Sequence, residues 1–220
     1  MKWLRQFTVS TVVFGLLTAG WYYAPWLELK LGFAPSVIQT AQAKIPEGGF
    51  SPIQLVQNAR AQIGVTVRYD PEYTAIPYPN GDVAQFKGVC TDVVIRAMRG
   101  QGLDLQKLVH EDMKQNFSRY PTRWGLKRAD ANIDHRRVLN LEVFMTRRGF
   151  SLPLSTRARD FQAGDWVTWR VGDKNLPHIG IASDKKTRDG VPLIIHNIGL
   201  GTQEEDVSFA YKMVGHYRWR

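Results

Sequence analysis

Apolar and polar positions along the 220-residue chain change texture three times. The stretch from Phe7 to Leu27 contains no charge and, at about twenty residues, is long enough to span a bilayer as a helix. From Leu31 to Phe50 glycine, proline and small polar residues dilute the pattern, which reads as a tether. Beyond Ser51 helical spacing sets in. Ile53, Val56, Ala59, Arg60 and Ile63 predict a first helix with Ser51 as cap, Pro52 at its first position and Gly64 as its stop. Cys90, Val93, Val94, Ala97 and Met98 recur at i, i+3, i+4, i+7 and i+8, which predicts a helix opening at Cys90 and closing at Gly100 to Gly102. Further helices are predicted at Leu105–Lys114 and His135–Arg148. After Gly164 the rhythm turns to strands: Trp166–Arg170, His178–Ser183, Val191–Asn197 and Met213–Trp219. Helices followed by a strand meander imply an α+β fold with an antiparallel sheet. The domain plan is a leader or anchor segment at 1–30, a linker at 31–50 and one folded domain at 51–220.

Val65–Tyr69 has β character, whereas Asp70–Gln85, with Asn80-Gly81 inside it, predicts an irregular loop leading into the cysteine. Glu204, Glu205 and Asp206 read as a short solvated acidic loop. The seven tryptophans are assigned to the core or the membrane interface, with Trp21 and Trp26 as headgroup anchors.

An apolar fraction of 44% and a charged fraction of 22% are ordinary for a folded soluble body. A formal net charge of +9 favours anionic partners. The basic residues are scattered rather than interleaved with stacking aromatics, so nucleic acid is not expected. Lys2 and Arg5 precede the leader, which places the N-terminus in the cytoplasm and the body outside it. Ala41-Gln42-Ala43 resembles a cleavage site, but it lies far behind the apolar stretch. That distance favours an uncleaved anchor over secretion after cleavage near Ala43.

Export changes the meaning of the single cysteine, because exported domains usually carry cysteines in disulfide pairs. Cys90 at a helix N-terminus has the macrodipole and free backbone amides that lower a thiol pKa. A thiol nucleophile also needs a base. His178 lies on a predicted strand where Gly180 and Ala182 share its face, leaving space beside the ring. His196 on the next strand is placed to orient it, with Asn197 as the alternative if the register differs by one. Tyr69 and Tyr78, in the segment before Cys90, are candidate cleft residues. Two readings stand side by side for His135, Arg136 and Arg137. One is a solvated basic face capped by Asp134; the other is a clamp whose arginine fork holds a substrate carboxylate. No spacing of His, Cys or Asp supports a metal site, and no cofactor is required.

The cysteine opening a helix, the strand beginning Gly164-Asp165-Trp166-Val167, the His178-Ile179-Gly180-Ile181 strand and the following Ile195-His196 resemble the papain-like, NlpC-type cell-wall cysteine peptidases. More narrowly, Gly88-Val89-Cys90-Thr91-Asp92-Val93-Val94, Asn132-Ile133-Asp134-His135-Arg136-Arg137 and Gly215-His216-Tyr217-Arg218 resemble a secreted bacterial family, domain of unknown function 1287, over roughly Ser51 to the C-terminus. The resemblance implies a papain-like fold and an extracytoplasmic or periplasmic hydrolase using Cys90, His178 and His196 on amide bonds. Peptidoglycan stem peptides are the expected substrate, and peptidoglycan or another anionic envelope polymer the expected partner. The alternatives are a glycan–peptide amidase, an acyltransferase, a non-catalytic wall-binding domain and an anchored binder of acidic polymer. The superfamily usually writes Asp-Cys-Ser-Gly where this chain has Val89-Cys90-Thr91-Asp92, which places Asp92 among the candidate substrate contacts. An insertion, Leu103 to Arg159, is expected to build part of the cleft.

Overall fold

The computed structural model describes residues 49–220. The 1–30 segment, most of the 31–50 linker, the Ala43 site and the two tryptophan anchors lie outside the described residues. Among the described residues no helix is long and apolar enough to cross a membrane.

Helix α1 (Pro52–Arg60) begins as the sequence predicts. Ser51 Oγ accepts the Gln54 N–H at 3.2 Å, and Pro52 sits where a missing N–H costs nothing. It ends earlier than expected, and Leu55, Val56 and Ala59 form its buried face while Ile53 and Ile63 are exposed. Gln62 takes the inward position in the turns that follow, donating to the Val93 carbonyl at 2.9 Å. Of the predicted Val65–Tyr69 strand only β1 (Arg68–Tyr69) forms, paired in parallel with β2 (Lys87–Gly88). The intervening loop is tied down by Arg96, whose guanidinium holds Asp82 and donates to the carbonyls of Val83 and Lys87.

Helix α2 (Cys90–Arg99) buries all five positions of its predicted stripe and is capped by Gly100. Helix α3 (Leu105–Asn116) runs two residues past the predicted end. The helix predicted over His135–Arg148 is split into a 3-10 turn at Asp134–Arg136 and helix α4 (Val138–Arg147), because Arg137 is extended, with φ −104° and ψ 117°. Buried Asn140 fastens the break by donating to the Asp134 carbonyl at 3.0 Å.

Strands β3 (Trp166–Val171), β4 (Leu176–Lys186), β5 (Pro192–Asn197), β6 (Thr202–Glu205) and β7 (Lys212–Tyr217) form one sheet in the order β6-β5-β4-β3-β7, every pair antiparallel. Two features depart from the predicted meander. The segment ending Glu204-Glu205 is a strand rather than a loop, and β7 crosses back to flank β3. Trp166, Ile179, Ile181 and Ile195 pack with the helices in the main core, while Val167, Trp169, Ala182 and Ile194 form a smaller cluster with Phe161.

The Gly164-Asp165 pair opens β3 for structural reasons. Gly164 has φ +87°, and a Cβ there would meet Pro52 Cβ at 2.8 Å. Asp165 is buried and accepts from Arg218 Nε at 2.6 Å and Arg218 Nη2 at 2.7 Å. Its Oδ2 also lies 2.7 Å from His216 Nε2, so β7 is locked to the start of β3. Burial opposes ionisation, but Arg218 and His216 hold the Asp165 carboxyl below its ordinary pKa. A carboxyl depressed on folding contributes stability that is present above its unfolded pKa and lost as pH falls through the folded one. Asp165→Asn is therefore expected to cost about 3 kcal/mol at neutral pH and to flatten the acid limb of stability. Urea titrations across pH read both effects, and a variant as stable as the parent at pH 7 contradicts the assignment.

Candidate active site

Cys90 is the first residue of α2 and is buried. The head of that helix is held from three directions. Asp92 Oδ2 accepts the Val89 N–H at 2.7 Å, and the same carboxylate takes both Nε and Nη2 of buried Arg136 at 2.9 Å each. Thr91 Oγ1 donates to the Arg136 carbonyl at 2.9 Å, and Asn197 Nδ2 to the Gly88 carbonyl at 3.1 Å. Gly88 is needed here because a Cβ would stand 2.9 Å from Asp92 Oδ2. A substrate carboxylate would have to displace Asp92 to reach the Arg136 fork. Asp92 and Arg136 thus position the cysteine, and the two readings of a solvated basic face and an open clamp both give way to a buried pair.

The imidazoles form a chain. His178 Nε2 on β4 lies 2.8 Å from His196 Nδ1 on β5, and His196 Nε2 lies 2.9 Å from Glu205 Oε2 on β6. His196, not Asn197, is therefore the partner of His178. Asn197 serves the Gly88 carbonyl and accepts the Gly199 N–H instead. The space expected beside His178 is filled by β5: a Cβ on Gly180 would lie 2.4 Å from Ile194 Cγ2 and 3.1 Å from His196 Cβ. Glycine there admits the second histidine rather than a substrate.

The thiol meets β4 one residue from His178. Burial pushes its pKa up to about 12, overriding the N–H groups of Ile179, Thr91 and Cys90 that favour the thiolate. The low thiol pKa expected from the helix N-terminus is thus reversed in the resting state by desolvation. Burial also takes His178 down to about 3, with a smaller contribution from His196. Thiol and imidazole are both neutral at pH 7, and no hydrogen bond joins them among the described residues.

Cys90 lies in the floor of a cleft of about 390 Å³. Tyr69, Tyr73 and Pro177 line one part of it; Trp124, Ile133 and Arg137 come from the Leu103–Arg159 segment. The Arg137 guanidinium sits over the Trp124 ring, 4.1 Å from its centroid. Burial, and then the nearness of Cys90 and the Asp92 carboxylate, raise the Tyr69 hydroxyl to about 12, so it stays a donor. Tyr78 is not part of this wall; it packs edge-on against His110 with centroids 5.1 Å apart. His135 is buried behind the site, driven down to about 3 chiefly by desolvation, and its Nδ1 has no partner among the described residues. Sequence reasoning missed Glu205, because the alternation that would mark Thr202–Glu205 as a strand is hidden by its run of polar residues. It also missed the stacking of Arg137 on Trp124, since that contact spans a loop and a helix start.

A thiol heading a helix packed on an antiparallel sheet, and an imidazole pair on two adjacent strands of that sheet, belong to an α+β protein. The chain belongs to the family described as "Domain of unknown function (DUF1287)", whose model matches residues 56–219, in agreement with the narrower of the two resemblances. It is 51% identical over 210 residues to "Uncharacterized protein YijF" of Escherichia coli (strain K12), covering 96% of this chain and 97% of that protein. Similar solved structures include NlpC1 of Trichomonas vaginalis, with a TM-score of 0.42, 12% identity and coverage of 76% of this chain and 44% of that one. NlpC2 of the same organism has a TM-score of 0.41, 11% identity and coverage of 77% and 48%. The chain spans less than half the length of these two structures.

The Gly180 contact gives a direct check on the paired strands. Gly180→Ala should lower stability by about 1–3 kcal/mol through overpacking, read by denaturant unfolding, and should separate the two imidazoles. Unchanged stability would mean that β5 yields without cost.

Proposed function

We propose that the protein is an extracytoplasmic cysteine hydrolase that cleaves amide bonds in peptidoglycan stem peptides. The observation that carries this reading is the Cys90 thiol at the head of α2, on the N–H of Ile179, the strand residue that follows His178 of the His178–His196 pair, in an open cleft. Substrate binding brings the carbonyl carbon to Sγ. The thiol proton passes to His178 Nδ1, the sulfur attacks, and the carbonyl oxygen takes the negative charge. Backbone N–H groups at the start of α2 and the Tyr69 hydroxyl are the donors for that oxyanion. Collapse breaks the C–N bond, and the leaving amine takes the proton from His178. Water then attacks the thioester, gives a proton to His178, and the thiol departs with it. No cofactor enters these steps.

Export is part of the proposal and is supported by Lys2 and Arg5 ahead of the uncharged stretch from Phe7 to Leu27. Anchoring by that stretch would hold the cleft beside the wall, and the net charge of +9 suits an anionic polymer. A second reading, a wall-binding domain without catalysis, is favoured by one observation: the resting thiol is neutral and unbonded to His178. Incubation of purified bacterial wall with the protein and with Cys90→Ala, followed by mass spectrometry, separates the two. New amine termini within stem peptides, lost by about 10³-fold or more in the variant, are expected. Termini at the glycan–peptide junction instead would assign amidase activity. Intact wall with undiminished binding in both samples would overturn the hydrolase reading.

A further inference from the structure

The His178–His196 contact does not by itself decide whether His178 Nδ1 carries a proton. Each neutral ring carries one proton, and the two rings share a single hydrogen bond, so two opposite arrangements satisfy the 2.8 Å contact. In one, His178 Nε2–H donates and Nδ1 is bare. In the other, His196 Nδ1–H donates, His178 accepts at Nε2, and His178 Nδ1 carries the proton. Only the first leaves a lone pair for the Cys90 proton.

Glu205 breaks this degeneracy. Its Oε2 lies 2.9 Å from His196 Nε2, and a carboxylate oxygen can only accept. Burial keeps both imidazoles below their ordinary pKa, so neither ring carries a second proton at neutral pH. The proton of His196 therefore sits on Nε2, its Nδ1 accepts from His178 Nε2–H, and His178 Nδ1 is left unprotonated. The neighbouring carboxylate, Glu204, is engaged elsewhere, by Arg60, Ser183 and Lys185. Glu205 is half-exposed and its one side-chain hydrogen-bond partner among the described residues is His196. Gly180 is what allows His196 to come close enough for the chain to form.

We propose that Glu205 is a positioning residue that sets the tautomers of His196 and His178 and so leaves His178 Nδ1 unprotonated. This rests on the reading of His178 as the base for Cys90. During proton transfer the Cys90 proton moves to His178 Nδ1, giving a thiolate and an imidazolium. His178 Nε2–H stays on His196, His196 stays neutral, and Glu205 takes up no proton.

The test uses the full-length chain in detergent micelles with 15N-labelled histidine and long-range 1H–15N correlation at neutral pH. In the parent protein both rings should be protonated at Nε2. Glu205→Lys offers His196 only a donor, so both rings should switch, leaving His178 protonated at Nδ1. Glu205→Gln, whose amide oxygen still accepts, should restore the parental pattern. If wall cleavage is active, kcat in Glu205→Lys should drop by about 10²-fold or more with KM little changed. A parental His178 protonated at Nδ1, or tautomers unmoved in Glu205→Lys, would overturn the relay. Should the lysine variant not fold, the parental pattern and a mixed pattern in Glu205→Ala decide the matter. Tautomers that switch as described while wall remains uncut would uphold the relay and remove the hydrolase reading alone.

Discussion

The buried pairing of Asp92 with Arg136 is the contact on which the arrangement of the site depends. Asp92 lies two residues into α2 and Arg136 in the 3-10 turn before α4, so their two 2.9 Å bonds fix the head of the cysteine helix against a segment 44 residues away. The Val89 N–H on the same carboxylate and the Thr91 hydroxyl on the Arg136 carbonyl add direction to charge. Such a pair offers little net stability against a well-packed apolar alternative, because both charges are desolvated. What it gives here is position: the sulfur cannot slide along the sheet without breaking a bidentate bond and uncovering two buried charges.

Position matters because burial works against ionisation at this site. The thiol is pushed up and His178 down, so a resting ion pair is disfavoured on both sides. In the proposed reaction, proton transfer then has to accompany attack, with the developing charges stabilised by the backbone N–H groups around the sulfur and by the imidazole chain ending at Glu205. A neutral resting thiol is also the less reactive form toward oxidants, which suits the export proposed for this single-cysteine chain.

The elements whose own periodicity decides them were legible in the sequence. The Cys90 helix buries the predicted stripe because one face of it meets the sheet, and β3, β4, β5 and β7 follow their alternating cores. The misses have a common cause. Polar residues that turn inward carry no hydrophobic rhythm, so Gln62 replaced Ile63 inside, Asn140 helped split a predicted helix, and the polar strand β6 read as a loop. In the candidate site, residue type and spacing singled out Cys90, His178 and His196, and strand pairing brings the two histidines into contact, whereas Glu205 depended on strand register. Asp92 and Arg136 looked available to substrate because their pairing spans a segment that no local pattern reports.

The central claim is that the Cys90 thiol gives its proton to His178. The most direct measurement is the rate of Cys90 alkylation by iodoacetamide across pH in the parent protein and in His178→Ala. Transfer to His178 predicts reactivity in the neutral range that exceeds what a buried thiol with a pKa near 12 would allow, and its loss in the variant. Identical profiles in both proteins, rising only in strong alkali, would contradict it.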